Sequence, residues 1–145
     1  MKKLLSGDVG PLRLKFLIFQ YWLTIFVTIP LGLLVMLFPD FFQRVGKIGR
    51  QDHTFFGISG SVYVAFGLLS ILALRNPKKW SPIILLQFTY KVLWFTLVMG
   101  RRIKSGELKM RWTDVAMMIG YGVFVAGDIL AIPPEYLFFE TTSQD

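Results

Sequence analysis

The chain has 145 residues, of which 54% are hydrophobic and 16% aromatic, and its mean hydropathy is +0.55. This composition excludes a small soluble domain, because a domain of that length cannot bury so much apolar surface. The chain has no cysteine, which excludes disulfides, thiol nucleophiles and thiolate metal sites. The net charge of +7 comes from basic residues that stand almost wholly between long apolar tracts, where anionic lipid headgroups rather than nucleic acid are the expected partner.

The first apolar tract runs from Phe16 to Phe38 without a formal charge and predicts a membrane-spanning helix over about residues 14–38. It is too long for the apolar region of a signal peptide, so we expect it to be retained. Pro30 predicts a kink in this helix, because proline removes one backbone hydrogen bond. Residues 39–52 mix phenylalanines with basic residues and predict either a short amphipathic helix on the membrane surface or a loop that dips into the interface.

The second predicted span covers about residues 54–74, with basic residues before and after it. Small residues form two stripes along it at helical spacing, and such stripes permit close contact with another helix. The first stripe is Gly57, Ser61 and Ala65, and the second is Gly60 and Gly67. We expect both to pack within a bundle, with a dimer face as the alternative.

The third predicted span covers about residues 81–99, with Ser81 as the expected N-cap. The fourth covers about residues 112–132, with Thr113 as its expected N-cap and Pro133 after its end.

These tracts predict an all-α protein, an integral membrane four-helix bundle of up-down topology that forms a single membrane domain over residues 1–145. Four spans place both termini on the same side of the membrane, which we term side A. The opposite side, with the loops 39–53 and 100–111, is side B. Side A carries seven basic residues and side B eight, so the positive-inside rule assigns no orientation. The acidic tail after Pro134 favours a cytoplasmic side B.

Polar residues inside the apolar tracts mark a candidate site. Lys91 lies at the middle of the third span, where a charge costs about 2.5–3.5 kcal/mol to insert. Gln87 precedes it by one helical turn and projects from the same face. Asp128 lies at a compatible depth near the end of the fourth span, and Gln20 and Thr24 occupy the same half of the first. We therefore predict a ligand-binding or buried polar cluster of these five residues in the side A half, joined by Ser70 of the second span in the same half.

Three interpretations of this cluster remain open. In the first, Lys91 and Asp128 form a buried ion pair that fixes the register of the helices. In the second, a polar cavity open toward side A binds a small amphipathic molecule, a lipid headgroup or a quinone, or relays protons. In the third, Lys91 extends along the helix to the membrane surface without a partner.

The sequence contains no motif for catalysis, for a cofactor or for a metal. A single histidine, His53, cannot form a histidine-based metal site without several nearby carboxylates. No nucleophile, base and acid occur together at a recognisable spacing, so we expect no catalytic residue and no metal ligand.

The glycine-rich second span, the polar third span and the end of the fourth together carry a resemblance. Their sequences are GISG at residues 57–60, AFG at 65–67, QFTYK at 87–91 and DILAIPP at 128–134. In these features the chain resembles the small four-helix bacterial membrane proteins grouped as DoxX-like. The resemblance implies a multi-pass protein of the bacterial inner membrane, a subunit or accessory protein that in some relatives is associated with quinone-linked respiration.

Three functions follow from these observations. The first is an accessory subunit, or a bundle that binds a lipid or a quinone-type molecule, with a homo-oligomer or a larger membrane complex as its setting. The second is an oligomeric proton-coupled transporter of small molecules that uses Lys91 and Asp128. The third, an enzyme acting on a lipid, lacks a partner for Asp128 in acid–base chemistry.

Overall fold

The computed structural model describes residues 10–46, 51–105 and 112–133. All regular secondary structure in these ranges is helical. The helices are α1 (Pro11–Leu37), α2 (Pro39–Gly46), α3 (His53–Ala73), α4 (Pro82–Leu93), α5 (Gly100–Lys104) and α6 (Trp112–Ala131), and a π-helical segment, Trp94–Met99, joins α4 to α5. Four helical stretches are long and apolar enough to cross a membrane, namely α1, α3, the continuous stretch Pro82–Lys104, and α6. The all-α class and the four apolar helices are therefore confirmed.

Helix α2 decides between the two predictions for the region after α1. Residues 39–46 form a short helix rather than an irregular loop, and residues 47–50 lie outside the described ranges. Phe41 and Val45 point outward from it, while the ring of Phe42 lies 5.7 Å from that of Phe56 in α3. The α2 segment therefore folds back onto the start of α3.

Helices α1 and α3 pack most closely where glycines face each other. A Cβ atom built on Gly32 would lie 2.6 Å from the carbonyl oxygen of Gly60, and one built on Gly60 would lie 2.8 Å from that of Gly32. Since no side chain separates them, the two backbones are in direct contact. Gly67 likewise faces Ile29 and Thr28 of α1.

The prediction of close packing holds for the stripe of Gly60 and Gly67 and is wrong for the other stripe. Ser61 and Ala65 are exposed, and a Cβ on Gly57 would meet no atom within 4 Å in the part of the chain that the structure describes. One face of α3 packs on α1, and a single partner helix cannot cover both stripes.

The third apolar stretch is longer than predicted and contains a wide turn. It continues as helix to Lys104, so the first five residues of the predicted loop 100–111 are helical. An α-helical repeat would bring Val98, seven residues after Lys91, onto the buried face. Instead Val98 is 45% exposed and Met99 is 2% exposed. The π-helical hydrogen-bond pattern adds one residue to a turn, which moves the buried face one position along the chain.

The two predicted N-caps have different outcomes: Ser81 occupies the N-cap position of α4 as predicted but does not cap through its side chain, and Thr113 is not an N-cap. Ser81 already has helical backbone angles, φ −54° and ψ −26°, and its hydroxyl makes no capping hydrogen bond. An N-cap side chain reaches the free N–H groups only from a non-helical backbone. Helix α6 begins at Trp112, so Thr113 lies inside its first turn and the cap position falls outside the described residues.

The N-cap of α3 is Asp52, whose carboxylate accepts hydrogen bonds from the backbone N–H groups of Thr54 at 2.9 Å and Phe55 at 3.2 Å. Hydrogen bonds from Phe55 and Thr54 to the ionised carboxylate lower the pKa of Asp52 below its ordinary value of 3.8. A folded-state pKa below the unfolded value adds stability above the unfolded pKa, and this stability is lost as the pH falls through the folded pKa.

We therefore expect Asp52→Asn, which keeps an oxygen acceptor but removes the charge, to be less stable than the parent protein above pH 3.8. The difference should shrink as the pH falls below that value. Thermal unfolding of both proteins in one detergent, measured from pH 5 downward, checks this. A difference that is constant with pH would show that the charge of Asp52 does not contribute.

Candidate functional site

Five polar side chains from three helices contact one another where these helices pack together, and none is more than 2% exposed. In both α1 and α4 two of these residues stand four positions apart, which places them one above the other on the same face of the helix. The five are Gln20 and Thr24 of α1, Gln87 and Lys91 of α4, and Asp128 of α6. The structure thus brings together all five residues that the sequence analysis selected.

An ion pair between α4 and α6 is the centre of this group. The Lys91 Nζ atom lies 3.0 Å from Oδ2 of Asp128. The other carboxylate oxygen, Oδ1, accepts a hydrogen bond of 2.7 Å from Nε2 of Gln20. The same Nε2 also donates to the carbonyl oxygen of Phe124 at 3.2 Å, so Gln20 connects α1 to α6 by two hydrogen bonds.

A second set of hydrogen bonds returns from α4 to α1. Oε1 of Gln87 accepts from Nζ of Lys91 at 3.3 Å and from Oγ1 of Thr24 at 3.3 Å. Since Thr24 follows Gln20 by one turn of α1, the contacts form a closed circuit through the three helices. We refer to the five residues as the polar ring.

Lys91 is held on its remaining side by aromatic rings. Its Nζ lies 4.4 Å from the centroid of the Phe124 ring and 5.6 Å from that of Tyr90. A cation close to an aromatic face is attracted to its π electrons, more strongly where water is excluded. The interpretation in which Lys91 reaches the membrane surface without a partner is therefore wrong, because the side chain is buried and paired.

Ser70 of α3 is buried but is not part of the ring. Its hydroxyl donates to the carbonyl oxygen of Phe66 one turn earlier, at 2.8 Å. A serine inside a helix commonly satisfies its hydroxyl in this way. The expectation that all four spans contribute to the polar cluster is therefore corrected to three helices, and α3 is joined to the others by different contacts.

The contacts of α3 with α4 and α6 come from aromatic residues that the sequence analysis did not select. The Tyr63 hydroxyl of α3 lies 2.6 Å from the Tyr121 hydroxyl of α6, and Phe66 stacks on Tyr90 with the ring centroids 5.5 Å apart. Trp94 packs against Tyr121 at 4.9 Å. We refer to these five residues as the aromatic layer. The sequence did carry a signal for the tyrosines of this layer. Membrane tyrosines usually lie at the interface, whereas Tyr63, Tyr90 and Tyr121 lie near the middle of their spans.

Gly127 of α6 allows the Gln20 side chain to reach its position. A Cβ built on Gly127 would lie 2.7 Å from Oε1 and 2.8 Å from Nε2 of Gln20. A side chain at this position would therefore push the Gln20 amide away from Asp128.

We expect Gly127→Ala to lower the free energy of unfolding by about 1–3 kcal/mol, the usual cost of overpacking. The matched control is Gly122→Ala on the same helix, where a Cβ would meet nothing within 4 Å. Thermal unfolding of both variants in the same lipid or detergent measures the difference. Equal stabilities would mean that the Gln20 amide shifts without loss of its hydrogen bonds.

The chemistry open to the ring is limited by its own contacts. The charges of Lys91 and Asp128 cancel, and both carboxylate oxygens accept hydrogen bonds. No three histidine, cysteine or acidic side chains lie together as a metal site in the described ranges, and His53 lies 3.4 Å from Asp40 near the start of α3. Both charges and both carboxylate oxygens are therefore already engaged within the ring.

Comparison of the chain with known protein families, with characterised proteins and with solved structures gives no match.

Proposed function

We propose that the chain is a multi-pass protein of the bacterial inner membrane, an up-down four-helix bundle with both termini on side A. The order of the contacts supports this topology. Gly32 faces Gly60 while Thr28 faces Gly67, so residue numbers rise along α1 as they fall along α3. The same reversal relates α4 and α6, where Lys91 pairs with Asp128 and Trp94 packs on Tyr121.

We further propose that the protein acts as a non-catalytic accessory subunit that assembles with another membrane protein. The closed polar ring is the observation that carries this proposal. Its five side chains are buried, and their hydrogen bonds run from helix to helix, so it holds α1, α4 and α6 in one register. A bundle with a fixed register presents fixed outer faces, which is what an assembly role requires.

The outer faces are consistent with lipid and protein neighbours. Large apolar side chains on α1, α3 and α6 are more than half exposed, among them Phe26, Ile58 and Val123. The first stripe of α3, in which Ser61 and Ala65 are exposed and Gly57 is half-buried, allows another helix to approach closely. Anionic lipid headgroups would meet the basic residues at the ends of the helices. The resemblance to DoxX-like proteins favours the same role.

A proton-coupled transporter is the second candidate, and the aromatic layer favours it. The paired hydroxyls of Tyr63 and Tyr121 are polar atoms that lie outside the polar ring, between Lys91 and side B. Transport through Lys91 and Asp128 would use these hydroxyls as the next step of a route, in an oligomer that completes the pathway.

Native mass spectrometry of the full-length protein, extracted from its own membranes with bound lipid, tests the choice. A stoichiometric complex with a second membrane protein is the expected result. A homo-oligomer whose reconstituted vesicles move protons, with the flux abolished by Asp128→Asn but not by Asp114→Asn, would favour the transporter. A bound quinone or other amphipathic molecule of defined mass would instead identify a binding bundle.

A further inference from the structure

Two atoms of the polar ring have no hydrogen-bond partner among the described residues. They are Oε1 of Gln20 and Nε2 of Gln87, in side chains that are each 1% exposed. Nearly all buried polar atoms in proteins are hydrogen-bonded, to protein or to ordered water. In a helix surrounded by hydrocarbon, an unbonded amide cannot form a hydrogen bond to bulk water instead.

The orientation of the Gln87 amide is fixed by its neighbours. Its oxygen accepts from Lys91 and from Thr24. If the amide were flipped, its NH₂ group would face the ammonium group of Lys91, which has no lone pair to accept a hydrogen bond. Nε2 of Gln87 therefore points away from both residues as a donor, and only an acceptor atom can satisfy it.

The two unpartnered atoms differ in their surroundings. Oε1 of Gln20 lies against the backbone of α6 at Gly127, where even a methyl group would be too close. Its NH₂ group is already bonded to Asp128 and Phe124. Both atoms lack a partner among the described residues, and Nε2 of Gln87 is the hydrogen-bond donor of the two.

We propose that Nε2 of Gln87 is a binding site for an uncharged oxygen acceptor from outside the chain. The ligand is uncharged because Lys91 and Asp128 already cancel each other, and a further charge would lack a counterion. Gln87 lies about 7–8 Å by helical rise from the start of α4. Water and the ester carbonyl of a lipid both carry such an oxygen.

Ser81, six residues before Gln87, carries a further unpartnered polar atom. It stands at the start of α4, is fully buried, and its hydroxyl also lacks a partner in the described part of the chain. Unbonded polar atoms therefore occur both just before the start of α4, at Ser81, and further along that helix, at Gln87. This proposal does not depend on the accessory role.

Solid-state NMR of the full-length protein in phosphatidylglycerol vesicles tests the proposal. The protein carries ¹⁵N-labelled glutamine side chains and the lipid carries ¹³C-labelled ester carbonyls. Magnetisation transfer to the Gln87 side-chain amide is measured from water protons and from the lipid carbonyl. The internal control is the Gln20 amide, whose hydrogens are bonded within the ring and which should receive less transfer from either source.

Transfer from water to Gln87 but not to Gln20 identifies the oxygen as that of bound water, and transfer from the lipid carbonyl identifies it as that of a lipid. Either result supports the site. Transfer to Gln87 no stronger than to Gln20 from both sources overturns it. The measurement uses the unaltered sequence, so a failure of a variant to fold does not affect it.

Discussion

Replacing Lys91 with methionine should lower the free energy of unfolding by about 3–5 kcal/mol, because the change leaves the carboxylate of Asp128 buried without its cation. Methionine matches the length and shape of the lysine stem, so the packing around Phe124 is largely kept. The loss therefore measures the missing charge rather than a cavity. Unfolding in mixed micelles, followed by circular dichroism or by the tryptophan fluorescence of the chain, measures the difference.

Two further variants isolate the cause. Lys79→Met removes a lysine that is exposed and should leave stability nearly unchanged. Lys91→Met combined with Asp128→Leu removes both charges and should recover much of the loss, since apolar replacements of buried ion pairs are often neutral or better. If Lys91→Met unfolds at the same point as Lys79→Met, the ion pair does not hold the bundle together.

In α1 and α3, Gly32 and Gly60 are the glycines at which an added Cβ would meet a backbone atom. Of the two substitutions to alanine, we expect Gly32→Ala to be the more destabilising. The new Cβ would lie 2.6 Å from the carbonyl oxygen of Gly60 and 2.9 Å from a methyl group of Val64. A backbone atom cannot rotate away as the end of a side chain can, so the two helices must move apart. We expect a loss of about 1–3 kcal/mol in the free energy of unfolding, at the upper end of that range.

The control for this variant is Gly57→Ala on α3, where the space around the glycine is open. Alanine favours the helix over glycine, so this variant should be unchanged or more stable by about 0.5–1 kcal/mol. Both variants are compared by thermal unfolding in the same lipid. A Gly32→Ala protein as stable as Gly57→Ala would contradict the direct backbone contact of α1 and α3.

Much of the fold follows from hydropathy, because an apolar stretch that crosses a membrane must satisfy its backbone within a helix. The third span shows where this reasoning ends. Hydropathy places a helix around Lys91, but the π-helical turn after Trp94 is a matter of hydrogen-bond pattern and leaves no mark on composition. The exposure of Val98 and the burial of Met99 could not be predicted from a regular period.

The candidate site was more predictable than the fold detail around it. A polar residue in an apolar helix needs a partner, and Lys91 and Asp128 lie at matching depths. The four-residue spacing of Gln87 from Lys91 places both on one face. What sequence could not provide was the exclusion of Ser70, which bonds to its own helix, and the pairing of the Tyr63 hydroxyl with that of Tyr121. Both depend on which way a particular face turns in the packed bundle.

The polar ring also has a consequence for biogenesis. Its residues lie on three helices that are synthesised one after another, and Lys91 and Asp128 are 37 positions apart in the chain. When the ribosome has completed α4, Thr24 already stands in α1 as a partner for Gln87, but the lysine still lacks its carboxylate. The growing protein thus passes through an interval in which an ammonium group sits in the lipid or the insertion machinery unneutralised. That interval ends when α6 is in place, so we expect α4 to be held in the membrane less firmly until Asp128 can pair with Lys91.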